Sequence, residues 1–175
     1  PIWVQICAGK SIQVPLNSDF GHDFDAMLNA ITPKTRVIFV CTPNNPTGTA
    51  VMHDELDAFI SRVPSDVLIV IDEAYGEFIR DKNIADGLKL FRKYNNVAVL
   101  RTFSKAYGLA GLRVGFVIAQ PNIADYVRRT SIPFGVSGVA QAAVVASLQP
   151  AAERELLARV DAIVEERERV LAKIR

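Results

Sequence analysis

Two periods of apolar positions take turns along this chain, and the switches between them mark its elements. Arg36–Cys41 carries Val37, Ile38, Phe39 and Val40 in a row, with no polar alternation. A β-branched run of that kind suits a strand buried on both faces. Val67–Asp72 and Val97–Arg101 have the same character, and Arg113–Ala119 is a fourth strand candidate after a glycine-containing loop. Ser11–Val14 is a shorter candidate ending at Pro15. Between these runs the period becomes helical. Phe24, Met27, Leu28 and Ile31 share one face of Phe24–Ile31, and Leu56, Phe59, Ile60 and Val63 share one face of Asp54–Val63. The latter opens with Asp54, Glu55 and Asp57, where the helix dipole favours negative charge. Ile84–Tyr94 is the next predicted helix, closed by Asn95 and Asn96. Beyond Gln120 the pattern stays helical. Asn122–Thr130 and Ser137–Leu148 are separated by Pro133 and Gly135, and Ala151–Arg175 reads as one long amphipathic helix. Leu156, Val160, Ile163, Val164, Val170, Leu171 and Ile174 form its stripe, and Glu165, Glu166, Arg167, Glu168 and Arg169 a solvated face.

Strands alternating with helices of about a dozen residues predict βαβ units around a mainly parallel sheet. A length of 175 residues corresponds to one domain, or one and a fraction. Half the residues are hydrophobic and 22% are charged, which excludes a disordered chain. Lys and Arg number 20 against 19 Asp and Glu, so no basic excess points to nucleic acid or an anionic membrane. Cys7 and Cys41 are too few for a disulfide scaffold; they fit a reducing, cytoplasmic setting and read as small buried hydrophobes. His22 and His53 lack a ligand cluster, so no metal site is expected. No apolar run is long enough to span a bilayer. The chain starts at Pro1 with no cap or signal-peptide pattern, and helical sequence runs to Arg175 with no stop signal. The expectation is an internal piece of a longer protein.

Chemistry-bearing residues gather at the carboxyl ends of three predicted strands, where open α/β sheets place ligands. After the first comes Thr42-Pro43-Asn44-Asn45-Pro46-Thr47-Gly48, a stiff turn that can hold an amide toward a ligand. After the second comes Asp72-Glu73-Ala74-Tyr75. A carboxylate ending an apolar strand needs a partner. It caps a helix, forms a structural ion pair, or faces a positive group on a ligand, with Tyr75 offering a phenol nearby. After the third, Thr102, Ser104, Lys105 and Arg113 fall within a short stretch. Hydroxyls and an arginine suit a phosphate, and a lysine can form a Schiff base with an aldehyde. Gly108-Leu109-Ala110-Gly111 lacks the spacing of a dinucleotide loop.

A carboxylate for a pyridinium nitrogen, an amide and a phenol for a ring oxygen, a phosphate nest and an aldehyde-binding lysine together match the needs of pyridoxal phosphate. With Asn44-Asn45-Pro46-Thr47-Gly48, Asp72-Glu73-Ala74-Tyr75, and Ser104-Lys105 followed by Arg113, the chain resembles the fold-type I pyridoxal-phosphate-dependent aminotransferases of the class I/II group. Within them it is most similar to the histidinol-phosphate aminotransferase branch. Arg101–Gly115 and Ile132–Ser137 resemble that branch's aromatic, phenylalanine-type members. The resemblance covers essentially the whole chain.

That resemblance implies a three-layer α/β/α sandwich with a mainly parallel sheet. Residues 1–150 would form part of the cofactor-binding large domain, and 151–175 a helix leading toward a small domain. Lys105 would be the Schiff-base lysine and then the base that shifts a proton. Asp72 would pair with the ring N–H, and Asn45 and Tyr75 would hydrogen-bond the ring 3-oxygen. Thr102, Ser104 and Arg113 would hold the phosphate. The implied reaction moves an amino group from an aromatic amino acid or L-histidinol phosphate to 2-oxoglutarate, yielding glutamate, in a homodimer. A decarboxylase or lyase of the same fold, a truncated inactive product, and a noncatalytic binding module are the alternatives. Family members are longer. The segment before Pro1 would supply backbone N–H groups for the phosphate, the segment after Arg175 an arginine for the substrate, and the dimer partner a tyrosine.

Overall fold

Four strands form one sheet in sequence order: β1 (Val37–Cys41), β2 (Leu68–Asp72), β3 (Val97–Thr102) and β4 (Gly115–Ile118). The computed structural model describes residues 2–174; Pro1 and Arg175, the outermost residues of the segments read above, lie outside them. β1, β2 and β3 run parallel, with Val40 opposite Ile71 and Ile71 opposite Val99. β4 returns antiparallel, with Thr102 opposite Gly115. Gly115 allows that approach, because a Cβ there would lie 2.7 Å from the carbonyl oxygen of Arg101. Among the described residues seven helices accompany the sheet: α1 (Ile2–Ile6), α2 (Phe24–Asn29), α3 (His53–Arg62), α4 (Gly87–Lys93), α5 (Pro121–Thr130), α6 (Gly138–Ser147) and α7 (Pro150–Ile174). A mostly parallel sheet flanked by helices is the predicted α/β class.

Side chains alternate across a strand, so the register sorts the sheet into two faces. One carries Ile38, Val40, Ile69, Ile71, Val97 and Val99. Most of these pack in one core with Leu56, Phe59 and Ile60 of α3 and Leu90 of α4, flanked by Phe24, Met27 and Leu28 of α2. Phe24 stacks on Phe59 at 4.5 Å between ring centroids. Outside this core, Lys93 on α4 pairs with Asp57 on α3 at 2.7 Å. The opposite face carries Val37, Phe39, Cys41, Val70, Asp72, Ala98, Leu100 and Thr102, and its polar members collect at the carboxyl edge. Farther along, α7 packs against α6 and the turn Gly76–Phe78.

The structure departs from the sequence reading at several places. Ser11–Val14 forms no strand: it pairs with neither edge strand, β1 nor β4, and an unpaired run has no ladder to join. The helix expected over Ile84–Tyr94 begins only at Gly87. Ala85 N–H donates to Val51 (2.9 Å) and Ile84 bridges Met52, so this stretch is drawn into strand-like pairing. Asp86 then caps the helix by accepting from the N–H of Leu88 at 2.9 Å. The strand expected over Arg113–Ala119 shortens to Gly115–Ile118, because Arg113 adopts a left-handed backbone (φ 52°) and still belongs to the turn. Cys7 is exposed rather than buried. It follows a five-residue helix whose Ile2 and Ile6 are themselves exposed, so no core forms around it.

Candidate active site

The loop after β1 is built on Thr42, which is fully buried. Its N–H donates to the carbonyl of Asp72 (3.0 Å), and its hydroxyl accepts from the N–H of Val51 (2.9 Å), closing the base of the loop. Within it, Asn44 N–H donates to the carbonyl of Thr49 and Gly48 N–H to that of Asn44, both at 2.8 Å. The Asn44 amide donates to the Thr47 hydroxyl at 2.8 Å. These bonds keep Asn44 occupied and leave Asn45 to point outward, where its Nδ2 donates to the phenol oxygen of Tyr75 (3.2 Å). His22 Nε2 donates to the carbonyl of Cys41 (2.9 Å), tying the segment before α2 to the end of β1.

Asp72 ends β2 directly opposite Cys41. One carboxylate oxygen accepts from the N–H of Ala74 (3.0 Å). The second, Oδ2, has no hydrogen-bond partner among the described residues. The Cys41 thiol is pushed above its ordinary pKa, first by burial and then by the negative charge of Asp72. After β3, the Thr102 hydroxyl accepts from the N–H of Ser104 (3.1 Å). Phe103 turns inward against Tyr107 and Phe116, with centroids 4.8 and 5.7 Å away. That inward side chain anchors the loop from which Lys105 projects into solvent. The Lys105 Nζ lies 5.2 Å from the centroid of the Tyr75 ring, within cation–π range. Arg113 precedes β4 and donates to the carbonyl of Ala110 (2.8 Å), with the rest of its guanidinium exposed.

These parts meet in an open cleft of about 570 Å³, whose wall includes Asp72, Leu100, Thr102, Ser104, Lys105 and Arg113. Asn45 and Tyr75 are not in that wall; they join it through the contact between Tyr75 and Lys105. A second cavity of about 400 Å³ is walled partly by Glu77, Phe103, Tyr107, Phe116, Val144 and Leu148. It is mostly apolar and holds no lysine. Burial raises the pKa of both Glu77 and Tyr107 there, Tyr107 further by the charges of Glu77 and Glu153. An amine, a carboxylate, hydroxyls and a guanidinium converge on the first cleft.

Sequence reasoning missed the partner of Glu73. This carboxylate is 2% exposed and takes two bonds from Arg101, while Asp72 beside it faces the cleft. The ion-pair reading of an acid at the end of β2 therefore applies to Glu73. The signal was present: Arg101 and Glu73 are charged residues at the ends of two apolar strands. The buried hydroxyl of Thr42 was also missed, and nothing in its local sequence marks it.

The aminotransferase class I and II family model matches residues 2–175. The chain is 60% identical over 175 residues to an aromatic amino acid aminotransferase from Streptomyces avermitilis, covering 100% of this chain and 48% of that protein. It is 58% identical, with the same coverage, to one from Streptomyces coelicolor. Among solved structures, it is similar to histidinol-phosphate aminotransferase from Sinorhizobium meliloti in complex with pyridoxal-5'-phosphate. That likeness has a TM-score of 0.84 at 31% identity and covers 95% of this chain and 45% of the other. The chain thus spans about half the length of the curated relatives it matches.

Proposed function

The chain belongs to the class I and II aminotransferase family, and from that membership we propose that it forms the central part of a pyridoxal-phosphate-dependent aminotransferase. The amino donor is an aromatic amino acid and the acceptor 2-oxoglutarate, in a cytoplasmic homodimer. In this reading, residues 1–150 belong to the cofactor-binding domain and 151–175 to the helix that leads toward a smaller one. The observation that carries the reading is the placing of Lys105 on one cleft with Asp72, Thr102, Ser104 and Arg113. Substrate choice rests on the two relatives at 60% and 58% identity, both aromatic amino acid aminotransferases.

The donor set fits the cofactor. A cleft of about 570 Å³ is in the size range of small-ligand sites. Asp72 has an oxygen free to take a protonated ring nitrogen, and its other oxygen is held by Ala74, so the carboxylate cannot swing away. Two hydroxyls and a guanidinium suit a phosphate dianion. When bound, pyridoxal phosphate supplies an aldehyde that takes up the amino group and a ring that accepts the electron pair left at the substrate α-carbon.

Each side chain then has a defined task. Asp72 keeps the ring nitrogen protonated and so keeps the ring able to accept electrons. Asn45 and Tyr75, already bonded to each other, would donate toward the ring 3-oxygen. Thr102, Ser104 and Arg113 hold the phosphate end. Lys105 would hold the aldehyde through its Nζ and, as a free amine, would be the base that moves a proton at the substrate α-carbon. The Tyr75 ring beside Nζ keeps the free amine near the cleft.

The test is borohydride reduction after addition of pyridoxal phosphate, followed by peptide mapping. A reduced label on Lys105 supports the reading, and no label on the intact protein overturns it. Transamination assays with phenylalanine, tyrosine and L-histidinol phosphate then decide the donor. A preference for the phosphorylated alcohol amine would overturn the aromatic assignment alone.

A further inference from the structure

Behind the cleft, on the opposite face of the sheet, one carboxylate binds three elements together. Glu73 Oε2 accepts from Arg101 Nε and Nη2 at 2.9 and 2.6 Å. Its Oε1 accepts from the N–H of Gly87, the first residue of α4, at 2.6 Å. A side chain at that position would displace the carboxylate, because a Cβ at position 87 would lie 2.6 Å from the same oxygen.

The register gives this arrangement its consequence. Asp72 is opposite Leu100, so Glu73 stands opposite Arg101. The last backbone bond between β2 and β3 runs from the N–H of Glu73 to the carbonyl of Leu100. Beyond it β3 continues to Thr102 with no further rung to β2, and the side-chain bonds of Glu73 and Arg101 take over. Neighbouring residues of a strand point to opposite faces. The side chains of Glu73 and Arg101 therefore belong to the face behind the cleft, with Arg101 also bordering its wall, while Asp72 and Thr102, adjacent to them in sequence, belong to the cleft face. A buried ion pair is a poor source of stability compared with apolar residues of similar volume. What it supplies that they do not is a two-pronged, directional link.

We propose that the Glu73–Arg101 pair, seated on Gly87, is a positioning device for the cleft. It fixes the spacing between Asp72, at the ring end of the cofactor, and Thr102 and Ser104, at its phosphate end. Loosening the pair leaves each end intact but no longer lets one rigid molecule reach both. The inference rests on the cofactor reading above.

The experiment measures the affinity of the intact protein for pyridoxal phosphate and for pyridoxal, which lacks the phosphate. Arg101→Met, Arg101→Lys, Gly87→Ala and a Lys105→Ala control are compared with the unmodified protein, and circular dichroism and thermal unfolding report the fold. Arg101→Met is expected to weaken pyridoxal phosphate about tenfold or more, and pyridoxal about twofold or less. Gly87→Ala keeps every charge but displaces Glu73, and shows the same selective loss in smaller degree. Arg101→Lys restores part of the selectivity. Should Arg101→Met not fold, the affinity ratio in Gly87→Ala and Arg101→Lys decides. Equal weakening of both ligands, or a lower melting temperature with an unchanged ratio, makes the pair merely structural and overturns the proposal alone. Absence of Lys105-dependent binding in the unmodified protein overturns the cofactor reading and this proposal with it.

Discussion

On the face packed against α2, α3 and α4, Ile69, Ile71 and Val99 are fully buried, whereas on the reverse of the same strands Phe39 is 56% exposed and Asp72 and Thr102 are half-buried at the strand ends. The same backbone ladder serves both. The covered face is held by close packing, where each large side chain contributes to stability. The cleft face is held by register: its functional groups are placed by the strand ends and by bonds to main-chain atoms, such as Ala74 N–H to Asp72 and Ser104 N–H to Thr102. The cleft face also buries Val70 and Ala98 along its middle, but its carboxyl edge carries the polar groups, so substitutions at that edge and in the α2–α4 core should have separable effects.

The largest effect is expected at Lys105. Lys105→Ala should lower transamination about 10⁴-fold or more while leaving the melting temperature nearly unchanged, since the side chain is exposed, with its Nζ 5.2 Å from the centroid of the Tyr75 ring. Single-turnover kinetics with an aromatic amino acid checks it, and residual turnover within tenfold of the unmodified protein would sink the role. On the covered face Ile71→Ala should cost about 2–5 kcal/mol of unfolding free energy, read by urea titration. Cofactor affinity per folded molecule should not change; a parallel loss of both would break the division between faces. Asp72→Asn should reduce turnover about 10²-fold, with the bound cofactor still detectable by its absorbance. The smallest effect is expected at Cys41. Its thiol is pushed up by burial and by Asp72, so at pH 8 it should react with iodoacetamide more slowly than exposed Cys7. Removing the Asp72 charge lowers the Cys41 pKa and should speed its labelling a few-fold below that pKa, as read by mass spectrometry. An unchanged rate in Asp72→Asn would mean that burial alone sets it.

The strands were legible from unbroken runs such as Val37–Val40 and Val67–Ile71, but the expected burial of both faces fails in β1, an edge strand whose Val37 and Phe39 are 44% and 56% exposed. Ser11–Val14 was misread because a four-residue run says nothing about whether a neighbouring edge exists for it. The start of α4 was misread because Ile84 and Ala85 pair with Val51 and Met52, a contact between distant segments that local periodicity does not carry. At the cleft, residue types and spacing were enough to bring Asp72, Lys105 and Arg113 to one edge of the sheet. They were not enough to separate the duties of Asp72 and Glu73. Two adjacent carboxylates look alike in sequence, and only the alternation of a strand of known register sends one forward and the other back.

The reversed direction of β4 has a practical side. A parallel fourth strand would begin at the far edge of the sheet and carry its first residues away from the cleft. Because β4 runs the other way, a single excursion of residues 103–114 leaves the carboxyl edge and comes back to it. The amine of Lys105 and the guanidinium of Arg113 therefore travel on one short hairpin-like cassette, hinged at Thr102 and Gly115. An engineer can replace or randomise that cassette as a unit without rethreading the sheet. Any insertion inside it shifts the spacing of both groups together, so changes in its length should be far less tolerated than changes in its sequence.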